Sequence, residues 1–124
     1  MADDERLLHR QVHPSWSQDG RITSQAFTPT PKDEGLLSVY DGEQVTPEAS
    51  FIHFTTVKKL SAVGTASVTA GEVRSLELPW RLDPETFAEH AVIDFTALPS
   101  SGRVKAKAQA LAEKARIRGW TYSA

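Results

Sequence analysis

The sequence predicts an α+β fold, and three observations carry that reading. Short mixed pieces between residues 6 and 40 are punctuated by Asp-Gly and proline, as strands joined by turns are. Residues 46–60 and 101–118 switch to a helical period. Residues 90–95, HAVIDF, form a nearly continuous apolar run of strand length, which predicts a central strand covered on both faces.

Taken in order, residues 1–5 read as a solvated, disordered start. RLLHRQVH (6–13) is a first strand, closed by Pro14. SQDGR is a turn, because Asp19-Gly20 supplies the positive φ that tight turns need. ITSQAF (22–27) is expected to return as a second strand. TPTPKDEG then breaks it, since each proline removes a donor and biases its predecessor to extended geometry. LLSVY (36–40) is a third strand, which makes the N-terminal part an antiparallel meander. In TPEASFIHFTTVKKL, Thr46 is placed as an N-cap, Pro47 at the first helical position and Glu48 at the positive helix end. TASVT (65–69) reads as a strand, and Thr69-x-x-Glu72 as a capping box opening a short helix through Leu76. LPWRLDP is extended or irregular. The C-terminal helix is capped by Ser100 or Ser101 and stopped by Gly119. Its apolar stripe is Val104, Ala108, Leu111, Ala112 and Ala115. WTY after the glycine is an edge strand or a packed tail.

The 124 residues suit a single domain, 1–124, with one core. Hydrophobic residues at 40% and charged residues at 24% place the chain among ordinary globular proteins rather than disordered ones. A net charge of -2 supplies no global field for nucleic acid or an anionic membrane. The absence of cysteine excludes disulfides, thiolate metal sites and a cysteine nucleophile. No apolar run approaches the roughly 18 residues of a membrane span, and the acidic N-terminus lacks a signal-peptide plan, so the expectation is a cytoplasmic protein.

Chemistry-bearing residues concentrate in the N-terminal polar block. His9 and His13 fall on one face of the first strand, apart from Arg10. Ser24 and Thr28 share a face of the second strand, and Thr30, Lys32, Asp33, Ser38 and Asp41 follow. Two readings are open. In one, Trp16, Arg21, Ser24, Gln25, Lys32 and Asp33 form the contact surface of a binding module that meets a protein partner or a small anionic ligand. In the other, the chain is a small enzyme acting on a nucleotide or nucleic acid. His9 or His13 is then the acid/base, Arg10 the phosphate holder and Ser24 a nucleophile. A solvated sheet face is the bland alternative to both.

Metal binding has little support: His9 and His13 are spaced i, i+4, a ligand pair only on a helix, and Pro14 argues against one. The glycine loops of nucleotide sites are absent, and no cofactor is implied. The cations of the last helix (Arg103, Lys105, Lys107, Lys114, Arg116, Arg118) read as flanks of a packed helix rather than a nucleic-acid surface.

Arg and His on a first strand with a Thr-Ser pair on a second resemble, over two or three residues, the NAD-binding layout of ADP-ribosyltransferases; the later acidic motif of that family is missing. At DGRITSQAFTPTPKDEGLLSVYDG (19–42) and EHAVIDFTAL (89–98) the chain resembles a group of short hypothetical bacterial proteins. That resemblance runs from LLHRQVHP to IRGW and brings no activity, ligand or site residue. It implies a bacterial or phage-linked single-domain protein, of a kind often found among operon-linked immunity, antitoxin or defence components.

Overall fold

A computed structural model describes residues 2–30 and 33–124. The chain runs through β1 (Leu7–Val12), a small hairpin of β2 (Ser17–Gln18) and β3 (Arg21–Ile22), and β4 (Leu36–Asp41). Then come α1 (Pro47–Ile52), β5 (Gly64–Thr69), α2 (Ala70–Ser75), β6 (Trp80–Leu82), β7 (His90–Asp94), α3 (Ser101–Arg118) and β8 (Tyr122–Ser123). Six strands form one sheet in the order β6-β7-β4-β1-β5-β8, with every neighbouring pair antiparallel. The α+β class follows directly. β7 is an interior strand paired on both sides, while β4 and β1 hold the middle.

Local chemistry accounts for the element ends. Asp19 and Gly20 both take positive φ, 52° and 79°, as a two-residue hairpin turn of right-handed twist requires. The Thr46 side chain accepts from Ala49 N and opens α1 behind Pro47. Thr69 and Glu72 cap α2 reciprocally. Ser100 Oγ accepts from Arg103 N, and Gly119 ends α3 at φ 86°. After α1 the backbone widens into a π-helical turn, His53–Val57, so the expected helix over 46–60 is a short α segment with a bulged end.

The two faces of the sheet differ. Strand alternation sends Leu8 and Val12 with Val39, Ala66, Val68, Ala91 and Ile93 into the apolar core, where α3 contributes Ala108, Leu111, Ala112 and Ala115. The stripe expected on α3 is thus the packed one, with Val104 at its partly buried end. The other face, under α1, is polar though buried. Register places His90, Tyr40, His9 and Ser67 in one row across four strands, and Gln11 and Thr65 in the next. Gln11 Nε2 donates to Ser50 Oγ of α1 at 2.8 Å, and Thr65 Oγ1 donates to Gln11 Oε1 at 2.6 Å. These pairings satisfy groups that would otherwise be costly to bury.

Two expectations are corrected. Residues 22–27 do not return as a strand: only Arg21–Ile22 is extended, and Ser24–Phe27 is a 3-10 turn beneath α3. Ala26 and Phe27 are consecutive and both fully buried, whereas a strand would send them to opposite faces. Residues 1–5 are not a free, solvated start over the described part. Ala2–Glu5 is a 3-10 turn seated on α2, with Asp4 ion-paired to Arg74. It lies so close that a Cβ on Gly71 would stand 2.9 Å from the Asp4 carbonyl oxygen.

Candidate functional site: a cationic cleft where the sheet divides

β1 stays in register with β5 from Leu7↔Thr69 to Val12↔Gly64, and β4 with β7 from Leu36↔Asp94 to Tyr40↔His90. Between β1 and β4 the register holds only at Leu8↔Asp41 and His9↔Tyr40. Past that point the two middle strands part, and Arg10 occupies the seam. Its Nε donates to the Ala26 carbonyl at 2.7 Å and its Nη1 to the Ser38 carbonyl at 2.9 Å. The guanidinium carbon lies 5.0 Å from the centre of the Trp16 ring.

The division opens a cleft of about 690 Å³. One wall is the end of β1, with Arg10, His13 and Trp16; another is the segment leaving α1, with Phe54, Lys58 and Lys59. The π-helical turn delivers that segment: Lys58 N donates to the His53 carbonyl, and Lys58 Nζ sits 5.1 Å from the Phe87 ring centre. Tyr40 and His90 come from β4 and β7, and Asp33 from the approach to β4, where it accepts from Thr30 N and Oγ1.

Three lysine and arginine side chains thus face one carboxylate among the described lining residues. Burial pushes the Arg10 guanidinium down to about 10, against the opposing charge of Asp33, so it remains a cation at neutral pH. Burial, helped by Glu89, pushes the Tyr40 phenol up and keeps it protonated. Tyr40 Oη lies 2.7 Å from His53 Nδ1. The Phe87 ring is the hub of this corner, with centroids 5.1 Å from Tyr40, 4.9 Å from His53 and 4.8 Å from His90.

The structure distributes the expected site residues over several places. Arg10, His13, Trp16, Asp33 and Ser38 line the cleft. His9 does not join them: it is buried beneath α1, with Nδ1 2.7 Å from Ser67 Oγ and Nε2 3.1 Å from the Val45 carbonyl oxygen. Burial lowers its pKa, against the Val45 carbonyl and Asp41, so it is held neutral. His13 caps the turn Pro14–Trp16 by accepting from Ser15 N, so the two histidines serve different structures. Arg21 and Ser24 lie at a separate, shallow depression of about 510 Å³ with Gln109, Glu113 and Arg116. Gln25 is exposed, and Asp41 is buried beside Arg6, 3.4 Å away. Lys32 lies outside the described residues. The set His9, Arg10, His13 and Ser24 is therefore not assembled into one catalytic centre.

Lys58, Lys59, Phe87 and His90 were not among the residues the sequence pointed to. Each belongs to an element far along the chain from β1, and only the Lys58-Lys59 pair after a helical stretch offered a local signal. Among the described residues no group of three or more His, Asp or Glu side chains is placed to hold a metal. No helix of the described chain is long and apolar enough to cross a membrane. Of the α3 cations, Arg116 donates to the Ile22 carbonyl and Arg118 pairs with Glu72, which supports their role as packing flanks. A scan of protein-family models finds no match to this chain, and searches of curated proteins and of solved structures find none either.

Proposed function

We propose that the chain is a binding module that takes a small organic anion, one carrying a ring, in the cleft between β1 and β4. The observation that carries this reading is the placement of Arg10. Two backbone carbonyls fix its guanidinium in the seam, and its Nη2 donates to no described residue. A planar, pre-set guanidinium suits a carboxylate or phosphate, and fixing it in advance lowers the ordering cost of binding. Lys58 and Lys59 add charge from the facing wall, and Trp16, Tyr40 and Phe87 supply aromatic surface. The volume lies within the range of roughly 300–1,000 Å³ usual for small-molecule sites. The expectation of an anion-contacting N-terminal surface is kept at Trp16 and Asp33, dropped at Arg21, Ser24 and Gln25, and extended to Arg10.

Thermal unfolding with a panel of nucleoside monophosphates and aromatic carboxylates tests it, with inorganic phosphate and uncharged nucleosides as controls. At a concentration 100 times its Kd a true ligand stabilises by about 2.7 kcal/mol. The expected result is a raised Tm with ring-bearing anions that is lost in Lys58→Glu. No shift with any of them, or an equal shift in Lys58→Glu, would remove the reading.

A further inference from the structure

We propose that Asp83 and His90 form an acid/base dyad on the wall of this cleft, and that the bound anion is a phosphate ester which the dyad hydrolyses. The inference rests on the binding reading above and adds chemistry to it. His90 opens β7 and Asp83 directly follows β6, so the loop between the strands brings them together. His90 Nδ1 lies 2.8 Å from Asp83 Oδ2, while Asp83 N donates to the His90 carbonyl at 2.8 Å and fixes the loop. The carboxylate is held in its ionised form, first by the Thr86 hydroxyl at 2.6 Å and then by His90.

An ionised carboxylate on Nδ1 selects the tautomer whose Nε2 is free to accept a proton. Nε2 has no hydrogen-bond partner among the described residues. The side chain is 7% exposed, and the cleft that it lines offers the approach. Phe87 couples this imidazole to the cationic wall, since its ring centre is 4.8 Å from the His90 ring and 5.1 Å from Lys58 Nζ. Tyr40, directly opposite His90 in the ladder, adds a protonated phenol on the same face.

In the reaction, His90 Nε2 takes a proton from a water molecule as its oxygen forms a bond to phosphorus. The phosphorus–oxygen bond to the leaving alcohol breaks with its electron pair on that oxygen, which takes the proton back from the imidazolium. Phosphate and a ring-bearing alcohol are released, and the imidazole is restored. Arg10 and Lys58 face the phosphoryl oxygens, where negative charge develops.

The test uses the whole chain with p-nitrophenyl phosphate and bis(p-nitrophenyl) phosphate, following p-nitrophenolate release, with binding read separately by thermal shift. The expected result is turnover of one ester or both. In His90→Gln, kcat should fall by about 100- to 10,000-fold with little change in the thermal shift. Asp83→Asn should lower kcat in the same direction as a positioning change, again with binding retained. Tyr40→Phe supplies a further variant if either of these fails to fold. Binding without turnover in the wild type, or equal kcat in wild type and His90→Gln, would overturn the dyad and leave the binding module standing. Failure of every anion to bind would overturn both.

Discussion

The Arg10 guanidinium donates to the Ser38 carbonyl oxygen at 2.9 Å, so a side chain of β1 holds a backbone group of β4 where the ladder between the two strands has ended. The seam is thereby a built feature rather than a frayed one. Without the guanidinium, the Ala26 carbonyl, 2.7 Å from Nε, would also lose its donor. One residue sets the width of the cleft and supplies its central charge.

Arg10→Lys keeps the charge but offers a single ammonium in place of the fork. Hydrogen bonds to charged groups contribute about 1.5–3 kcal/mol each, and the lysine is expected to recover only one of the two. Urea unfolding should show a loss of about that size. A change below about 0.5 kcal/mol would mean that the bridge adds nothing to the fold.

His9 predicts the direction of the pH dependence. Its folded pKa is lowered chiefly by burial, while in the unfolded chain it returns to about 6.5. The unfolded state therefore binds the extra proton first, and stability falls as pH drops below about 6.5 toward the folded value. Denaturant midpoints at pH 7.5 and 5.5 should differ in the wild type. In His9→Gln that part of the difference should vanish. The lowered carboxylates of Glu72, Asp83 and Asp94 add a second loss at more acidic pH, because each must be protonated as pH falls through its folded pKa.

The capping box of α2 is open to a direct measurement. Thr69→Ala removes the side-chain acceptor of Glu72 N, and such losses cost about 0.5–2 kcal/mol. Glu72 also meets Arg118 through two oxygens, at 2.9 and 3.1 Å, so Glu72→Gln should weaken both the cap and the hold on the end of α3. A double-mutant cycle with Arg118→Ala separates the two effects.

Gly64 sits where β5 meets the C-terminal tail. A Cβ there would stand 2.6 Å from the Tyr122 carbonyl oxygen and 2.9 Å from Trp120 Cε3. Backbone cannot yield as a flexible side-chain end can, so Gly64→Ala is expected to displace β8 at a cost of about 1–3 kcal/mol. Hydrogen exchange at the Thr121 and Ala124 amides, which bond to the Thr65 and Val63 carbonyls, should accelerate. Unchanged protection there would show that the tail adapts without leaving the sheet.

How much of this was legible depended on how local each signal is. The caps at Thr46, Thr69 and Ser100 and the stop at Gly119 are written within four residues and stand where the pattern places them. Ser24–Phe27 failed because two adjacent apolar residues fit a short strand and a buried turn equally well until α3 is in place. His9 and His13 share a parity but not an environment, since one is covered by α1 and the other lies past the end of the strand.

By itself the sequence determined the α+β class, the helix starts and the stop at Gly119, the hairpin turn at Asp19-Gly20 and the packed stripe of α3. All of these depend on neighbours along the chain and on hydrophobic period. Only the tertiary structure decided that β1 and β4 are partners that separate, that Arg10 bridges them, and that Lys58, Phe87 and His90 face the opening. The physical reason is register: a row of side chains across a sheet joins residues from strands remote in sequence, and their alignment is set by packing between elements rather than within them.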